Sequence, residues 1–333
     1  MGAINTFLFN ILDGINSFIG NYGWSIVVFT IIIKLILLPL DLKSRKSMRR
    51  MSDLQPQISK LQKKYANDKE KLNQKTAELY RKERISPLSG CLPMLISFPI
   101  LIAMFGAMRM AANTELAKQA IDLVTTGQQV NQGWLWVKNL WMPDSPFATA
   151  VAQEAQLKLI PVDIWQSVIK GITDTNILNS LSALGITADT VTSDTYQVIL
   201  TQLQSLPDYQ NELLQWAALP EVNLILFKLK IYAANNGLFI TPILAAVTQF
   251  LMTLTQPQTT NTNSANGGKG TSQFMKYFFP IFSLYICSTY NAGFSIYWVA
   301  SNLIAWGEGI VINQSYDRKA HSKTQNIQED SLK

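Results

Sequence analysis

The chain has 333 residues, 48% of them hydrophobic and only 15% charged, with a net charge of +6. Soluble proteins carry about 25% charged residues, so an ordinary soluble domain is excluded. One histidine and two cysteines, Cys91 and Cys287, cannot build a metal site of the usual spacing and give no reason to expect a disulfide.

Residues 1–22 open the chain without a basic n-region or a small-residue cleavage site, so no cleavable signal peptide of standard form is expected. Ile4, Phe7, Leu8, Ile11, Leu12, Ile15, Phe18 and Ile19 recur at helical spacing, which predicts an amphipathic helix lying in the membrane interface. The alternative is that this segment only extends the first span.

Residues 23–40 (GWSIVVFTIIIKLILLPL) are about long enough to cross a bilayer as a helix, and they carry Lys34. A lysine near the middle of a lipid-facing helix costs roughly 2.5–3.5 kcal/mol on insertion scales, so it normally faces protein, water or a counter-charge. Snorkelling is the bland reading: the basic end of the run is about 10 Å away at 1.5 Å per residue, and the lysine stem spans part of that.

Residues 41–86 read as a cytoplasmic basic helical hairpin. Between positions 41 and 84, fourteen Lys or Arg face six Asp or Glu. One helix is expected over 42–65 and a second over 69–84, with Ala66, Asn67 and Asp68 as the turn. Leu54, Ile58, Leu61 and Tyr65 form one apolar stripe, and Leu72, Leu79 and Tyr80 a thinner one. Pro56 predicts a kink or restart inside the first helix. Arg45, Arg49, Arg50, Lys60, Lys63 and Lys64 are the candidate contacts for anionic lipid headgroups, ribosomal RNA or a protein partner. No aromatic interleaving or RNA-binding motif accompanies them, so sequence-specific nucleic-acid binding is not expected.

Four further apolar runs give transmembrane helices over 87–112, 237–255, 274–290 and 291–313. The connection 113–236 holds six Lys against eleven acids, and residues 314–333 form a short tail. Basic segments beside spans stay cytoplasmic. The N-terminus and residues 113–236 are therefore expected outside, the hairpin and the C-terminus inside. Short helices are expected over 177–184, 194–206 and 208–218, within an external helical insertion running from about 145 to 236. The polar stretch 256–273 reads as a mobile cytoplasmic loop. Its Gly267–Thr271 segment (GGKGT) is not a P-loop, because Gly follows the Lys and no strand precedes it.

Several motifs stand in a recognisable order. Residues 87–100 (PLSGCLPMLISFPI) combine three prolines with a Gly-Cys pair; Leu54-Gln55-Pro56 lies in the hairpin; residues 291–303 (NAGFSIYWVASNL) open the last span. With residues 24–40, these resemble the YidC/Oxa/Alb family of membrane protein insertases over about 20–112 and 237–315. The resemblance implies an all-α fold, with five transmembrane helices around a polar groove, a cytoplasmic helical hairpin and no enzymatic or cofactor chemistry. It implies a bacterial cell-membrane protein, taken as a monomer. Its partners would be nascent membrane proteins, the ribosome, the Sec translocon and anionic lipids.

In that family the groove carries a positive charge on the first span, usually arginine. Lys34 stands at that position and keeps the charge without the planar five-donor fork. Thr30 shares its face at i, i+4. Ser295, Trp298 and Asn302 on the last span and Gln249, beside Thr241 and Thr248, on the third are the other candidate groove residues, with ordinary interhelical packing as the alternative. The resemblance assigns a hydrophobic slide for the substrate's helix to Met94, Phe98, Phe279 and Ile286. Glu308, the one acid in any expected span, is read as exposed at the interface. A small-molecule transporter is the runner-up, but inverted repeats with matching broken helices are not visible. A structural assembly factor is the third reading.

Overall fold

Gly20 decides how the chain begins. The computed structural model describes residues 2–83, 92–130, 132–214, 222–224, 227–229, 235–256 and 269–331. Helix α1 (Gly2–Ile19) stops because Gly20 adopts φ 72° and donates its N–H to the Asn16 carbonyl at 2.8 Å. Helix α2 (Tyr22–Asp53) restarts at once, with the Asn21 side chain accepting the Trp24 N–H at 3.3 Å. The first segment is therefore a separate helix and not an extension of the span. Leu12 is buried while Ile4, Phe7 and Phe18 are exposed, a distribution that suits an interfacial helix.

Helix α2 does not stop where its apolar run stops. It continues through Pro39 into the basic segment, so the hairpin is carried on the same rod as Lys34. The expected first hairpin helix is thus divided between the end of α2 and α3 (Gln55–Lys64). The break falls at Leu54, and Pro56 sits in the first turn of α3, where a missing N–H costs nothing. Asp68 caps α4 (Lys69–Lys82) by accepting the Lys71 N–H at 3.0 Å. Leu54, Ile58 and Tyr80 form the hairpin core, with Met51 and Leu79 packed against it.

Helix α5 (Leu92–Thr126) runs well beyond the apolar stretch that predicted it. Ala107, Ala111, Leu116, Ala117, Ala120 and Ile121 keep its inner face buried, and Gly127 closes it at φ 69°. The Pro-Gly-Cys opening at 87–91 lies outside the described residues, as do the side chains of Met94 and Phe98.

The segment between α5 and the next long helix contains α6 (Glu154–Leu157), α7 (Val162–Gly171), α8 (Thr175–Ala183), α9 (Thr195–Ser205) and α10 (Pro207–Leu214). The last three answer the three expected helices; residues 215–218 of the third lie outside the described residues. Helices α6 and α7 were not legible, although α7 buries Ile164, Trp165, Val168 and Ile169. A short antiparallel hairpin, β1 (Val222–Leu224) with β2 (Phe227–Leu229), is a local exception to the all-α expectation. Tyr209 on α10 ties the subdomain together, donating to the Ala152 carbonyl at 2.8 Å; burial pushes its phenol up to about 12.

Helices α11 (Ile240–Thr255), α12 (Lys269–Thr289) and α13 (Ala292–Ser331) complete the chain. Helix α13 passes the end of the expected fifth span and includes most of the tail. Residues 257–268 of the expected mobile loop lie outside the described residues. Among the described residues, the Tyr22–Lys64 segment is the one long and apolar enough by itself to cross a membrane; α11 is apolar but shorter.

Two compact units result. The first comprises Met1–Phe29, Ile102–Leu244 and Leu284–Trp298; the second comprises Thr30–Leu101, Ala245–Ser283 and Val299–Lys333. In the first, Asp144, Asn236 and Glu115 are polar groups whose side chains find several partners. Asp144, fully buried, accepts the Thr241 N–H at 2.7 Å, the Trp136 indole N–H at 3.0 Å and the Phe239 N–H at 3.2 Å, and so caps α11 from a distant loop. The Asn236 side chain donates to the carbonyls of Asn139 at 2.9 Å and Pro143 at 2.8 Å. Glu115 accepts from Gln132 at 2.6 Å, Lys118 at 2.7 Å and the Tyr22 hydroxyl at 3.2 Å. Backbone bonds from Ala292 to Met142 and from Gly293 to Leu140 fix the start of α13.

The caps of α11 and α4 can each be tested. Asp144→Ala leaves three donors without an acceptor and should cost roughly 3 kcal/mol of stability in a thermal melt in detergent. Gly237→Ala should act in the same direction, because its new Cβ would run into the Asp144 carboxylate. For α4, the Lys71 backbone N–H and then its side chain hold the Asp68 carboxyl below the usual carboxylate range. A depressed folded value means that the contribution is present above the unfolded value of about 3.9 and is lost as pH falls through the folded one. Amide-exchange protection at Lys71, corrected for the intrinsic rate, should therefore decline on acidification below that range.

Candidate functional site

The second unit gathers four partly buried charges near one stretch of α2. Lys34 projects from an apolar helix whose Ile31, Ile32, Leu35 and Ile36 are exposed, as befits side chains that face lipid. Its own side chain is 18% exposed, and its Nζ lies 3.6 Å from Asp41 Oδ2, two turns further along the helix. The stem is thus directed towards the basic end of the run, the direction expected of a snorkelling lysine, but it stops at a specific carboxylate. Thr30, one turn earlier, is fully buried.

Arg45, one turn beyond Asp41, makes a tighter arrangement. Its Nη2 donates to the Ala305 carbonyl on α13 at 2.7 Å and lies 3.7 Å from Glu308 Oε2; the two side chains are 13% and 11% exposed. Burial pushes the guanidinium down from its ordinary value, and the charges of Glu308 and Asp41 oppose that. Gly309 allows this approach, because a Cβ there would collide with Thr255 Oγ1 and press on Arg45. The Asn313 side chain donates to the Thr255 carbonyl at 3.2 Å, and Arg49 lies over the Tyr316 ring at 5.9 Å. Helices α2, α11 and α13 are thereby joined at one level. Glu308 also feels Lys34 and Asp41. Two cations and two carboxylates form one charge-balanced cluster.

Two expectations are corrected here. Glu308 is not exposed at the interface: it is largely buried against Arg45. Arg45 is not free to meet a partner, since it holds Ala305 and Glu308. Arg49 is half-buried and pairs with Asp53 at 3.7 Å. Arg50, Lys60, Lys63 and Lys64 are exposed and keep the cationic surface of the hairpin.

Of the other candidates, Gln249, Thr248 and Asn302 are buried in the second unit, and the Asn302 amide donates to Thr248 Oγ1 at 3.4 Å. Thr241, Ser295 and Trp298 belong to the first unit. The Ser295 hydroxyl lies within hydrogen-bond distance of the Cys287 carbonyl at 3.2 Å and the Asn291 carbonyl at 3.4 Å, which suits helix packing better than groove lining. The Trp298 indole N–H is buried without a hydrogen-bond partner among the described residues. Phe279 and Ile286 on α12 are partly exposed, beside the exposed Tyr277, Phe278, Ile281, Phe282 and Tyr285. Asp41 was missed as a site residue. The signal that could have found it is its spacing of two helical turns from Lys34, hidden because it falls just past the apolar run.

Arg45→Ala should lower stability by roughly 2–3 kcal/mol, because it removes the bond to the Ala305 carbonyl and leaves Glu308 buried without its cation. Adding Glu308→Gln in that background should recover part of the loss, which a double-mutant thermal-melt cycle measures.

Residues 14–173 and 191–320 match the 60Kd inner membrane protein family. The chain is similar to the membrane protein insertase YidC of Fusobacterium nucleatum, with 52% identity over 106 residues, 32% of this chain and 52% of that protein. It is 37% identical over 159 residues to membrane protein insertase YidC of Cupriavidus taiwanensis, 46% of this chain and 26% of the relative. Against membrane protein insertase YidC of Leptospira interrogans the figures are 43% over 126 residues, 38% and 18%. The chain spans about half or less of the length of these curated relatives.

Proposed function

We propose, from the premise that this chain belongs to the 60Kd inner membrane protein family, that it inserts newly made proteins into the bacterial inner membrane and helps them fold. The observation that carries the reading is Lys34: a lysine, its side chain 18% exposed, within the apolar stretch of α2. Passing a polar tail through hydrocarbon strips charged groups of hydration, at a cost of several kcal/mol. A wet cavity holding a fixed positive charge shortens the dry path and attracts an acidic tail.

In this reading α2, α5, α11, α12 and α13 cross the membrane, with the N-terminus outside and the C-terminus and hairpin in the cytoplasm. Thr30, Gln249 and Asn302 line the groove beside Lys34. Trp298 and Ser295 lie on the same stretch of α13 at i−4 and i−7 from Asn302, with Ser295 the weaker member. The substrate's apolar helix leaves for lipid along Met94, Phe98, Phe279 and Ile286. Burial of that helix drives the step, and the membrane potential adds an outward pull on negative charge. No nucleotide, metal or other cofactor enters. The exposed Arg50, Lys60, Lys63 and Lys64 offer the hairpin to anionic lipid, the ribosome or the Sec translocon. The protein acts as a monomer, alone or with that translocon.

Reconstitution in liposomes with a small single-span substrate tests this by protease protection. Lys34→Ala should reduce the protected fraction by about tenfold or more, since contacts to a charged group are worth about 1.5–3 kcal/mol. Lys34→Arg should retain activity. Equal insertion by wild type and Lys34→Ala would reduce Lys34 to a snorkelling residue.

A further inference from the structure

The Lys34 ammonium already has a carboxylate beside it, supplied by the same helix. We propose that Asp41 is a built-in competitor for Lys34, holding the ammonium when no substrate is present and yielding it to a carboxylate on an incoming peptide. Asp41 is thereby a specificity-determining residue for acidic tails. The inference rests on the reading of Lys34 as the charge that meets substrate.

The two ion pairs of the cluster have similar lengths, 3.6 and 3.7 Å, and differ in exposure and in the elements that they join. At 3.6 Å the Lys34–Asp41 pair is looser than the roughly 2.7–2.9 Å of a charge-assisted hydrogen bond, and its side chains are 18% and 32% exposed. Arg45 and Glu308 are 13% and 11% exposed, and Arg45 also holds the Ala305 carbonyl. The Arg45–Glu308 pair therefore joins α2 to α13, whereas Lys34 and Asp41 sit on one helix and can part by side-chain rotation alone. Asp41 also has somewhere to go: one turn further lies Arg45, whose charge it already feels. A partly exposed pair is individually weak, so a ligand carboxylate can replace it.

The cluster sets Lys34 and Arg45 against Asp41 and Glu308. A neutral tail has no means of displacing Asp41 and gains nothing from Lys34. An acidic tail gains Lys34 only to the extent that it competes with Asp41. Removing the Asp41 charge should therefore favour acidic tails selectively and leave neutral ones where they were.

The test is liposome insertion of two single-span substrates that differ only in one tail Asp, kept or changed to Asn, scored by protease protection. Wild type, Asp41→Asn, Asp41→Glu, Lys34→Ala and the Lys34→Ala/Asp41→Asn double variant run in parallel. Thermal melts report folding, and Asp41→Glu keeps the carboxylate should Asp41→Asn prove unstable. Asp41→Asn should raise the acidic-to-neutral insertion ratio by about fivefold, the equivalent of about 1 kcal/mol for an exposed ion pair at 1.36 kcal/mol per tenfold. Asp41→Glu should keep the wild-type ratio, and the Asp41→Asn effect should vanish in the Lys34→Ala background. An unchanged ratio in Asp41→Asn, or an equal change for both tails, overturns the competitor role while leaving Lys34 standing. Wild-type insertion of the acidic tail by Lys34→Ala alone refutes the Lys34 reading itself and takes the proposal with it.

Discussion

A charge in an apolar helix must meet water, protein or a counter-charge, and the second unit is arranged around that constraint. Lys34 sets the problem. Asp41 answers it loosely, from two turns along the same helix at 3.6 Å. One turn further, Arg45 and Glu308 repeat the pairing between two helices and with less exposure. The two solutions have different consequences. A pair between helices fixes their relative position, and its loss leaves buried charge. A pair along one helix fixes nothing else, so it can open and close without moving backbone.

The first unit obeys a related rule with neutral partners. Its loops are buried, and buried backbone N–H and C=O groups need partners as much as charges do. Asp144, Asn139 and Asn236 supply them, each with two or more bonds to backbone, and Glu115 does the same for side chains. Glycine makes room where the approach is closest: Gly237 lies against Asp144 and Gly23 against the Trp134 ring. The starts of α2, α11 and α13 are anchored in this network.

The hairpin shows a third arrangement. Its small core of Leu54, Ile58 and Tyr80 holds α3 against α4 while the basic side chains stay outside. Because α2 continues unbroken past Asp41 and Arg45 as far as Asp53, the hairpin is attached to the rod that carries Lys34. Contact made on the hairpin and charge in the apolar run are thus features of one helix and its immediate continuation.

Much of this was written in periodicity and charge. The apolar runs located α2, α5, α11, α12 and α13, and the 3.6-residue spacing located α1 and the hairpin stripes, because both signals are local and survive without neighbours. Asp68, read as part of the hairpin turn, caps α4 by local chemistry. Lys34 stood out because an apolar background makes a single charge visible. What neighbours decide was not legible. Glu308 read as an acid exposed at the interface until α13 was packed against Arg45, and Arg45 read as a surface contact until α13 supplied the Ala305 carbonyl. Helices α6 and α7 lack a long pattern and owe their form to the core that they help to bury. The amino-acid order specifies which segments are helical and which residues carry charge; only tertiary packing determines which charges are spent on one another, because desolvation and pairing depend on distance in space and not along the chain.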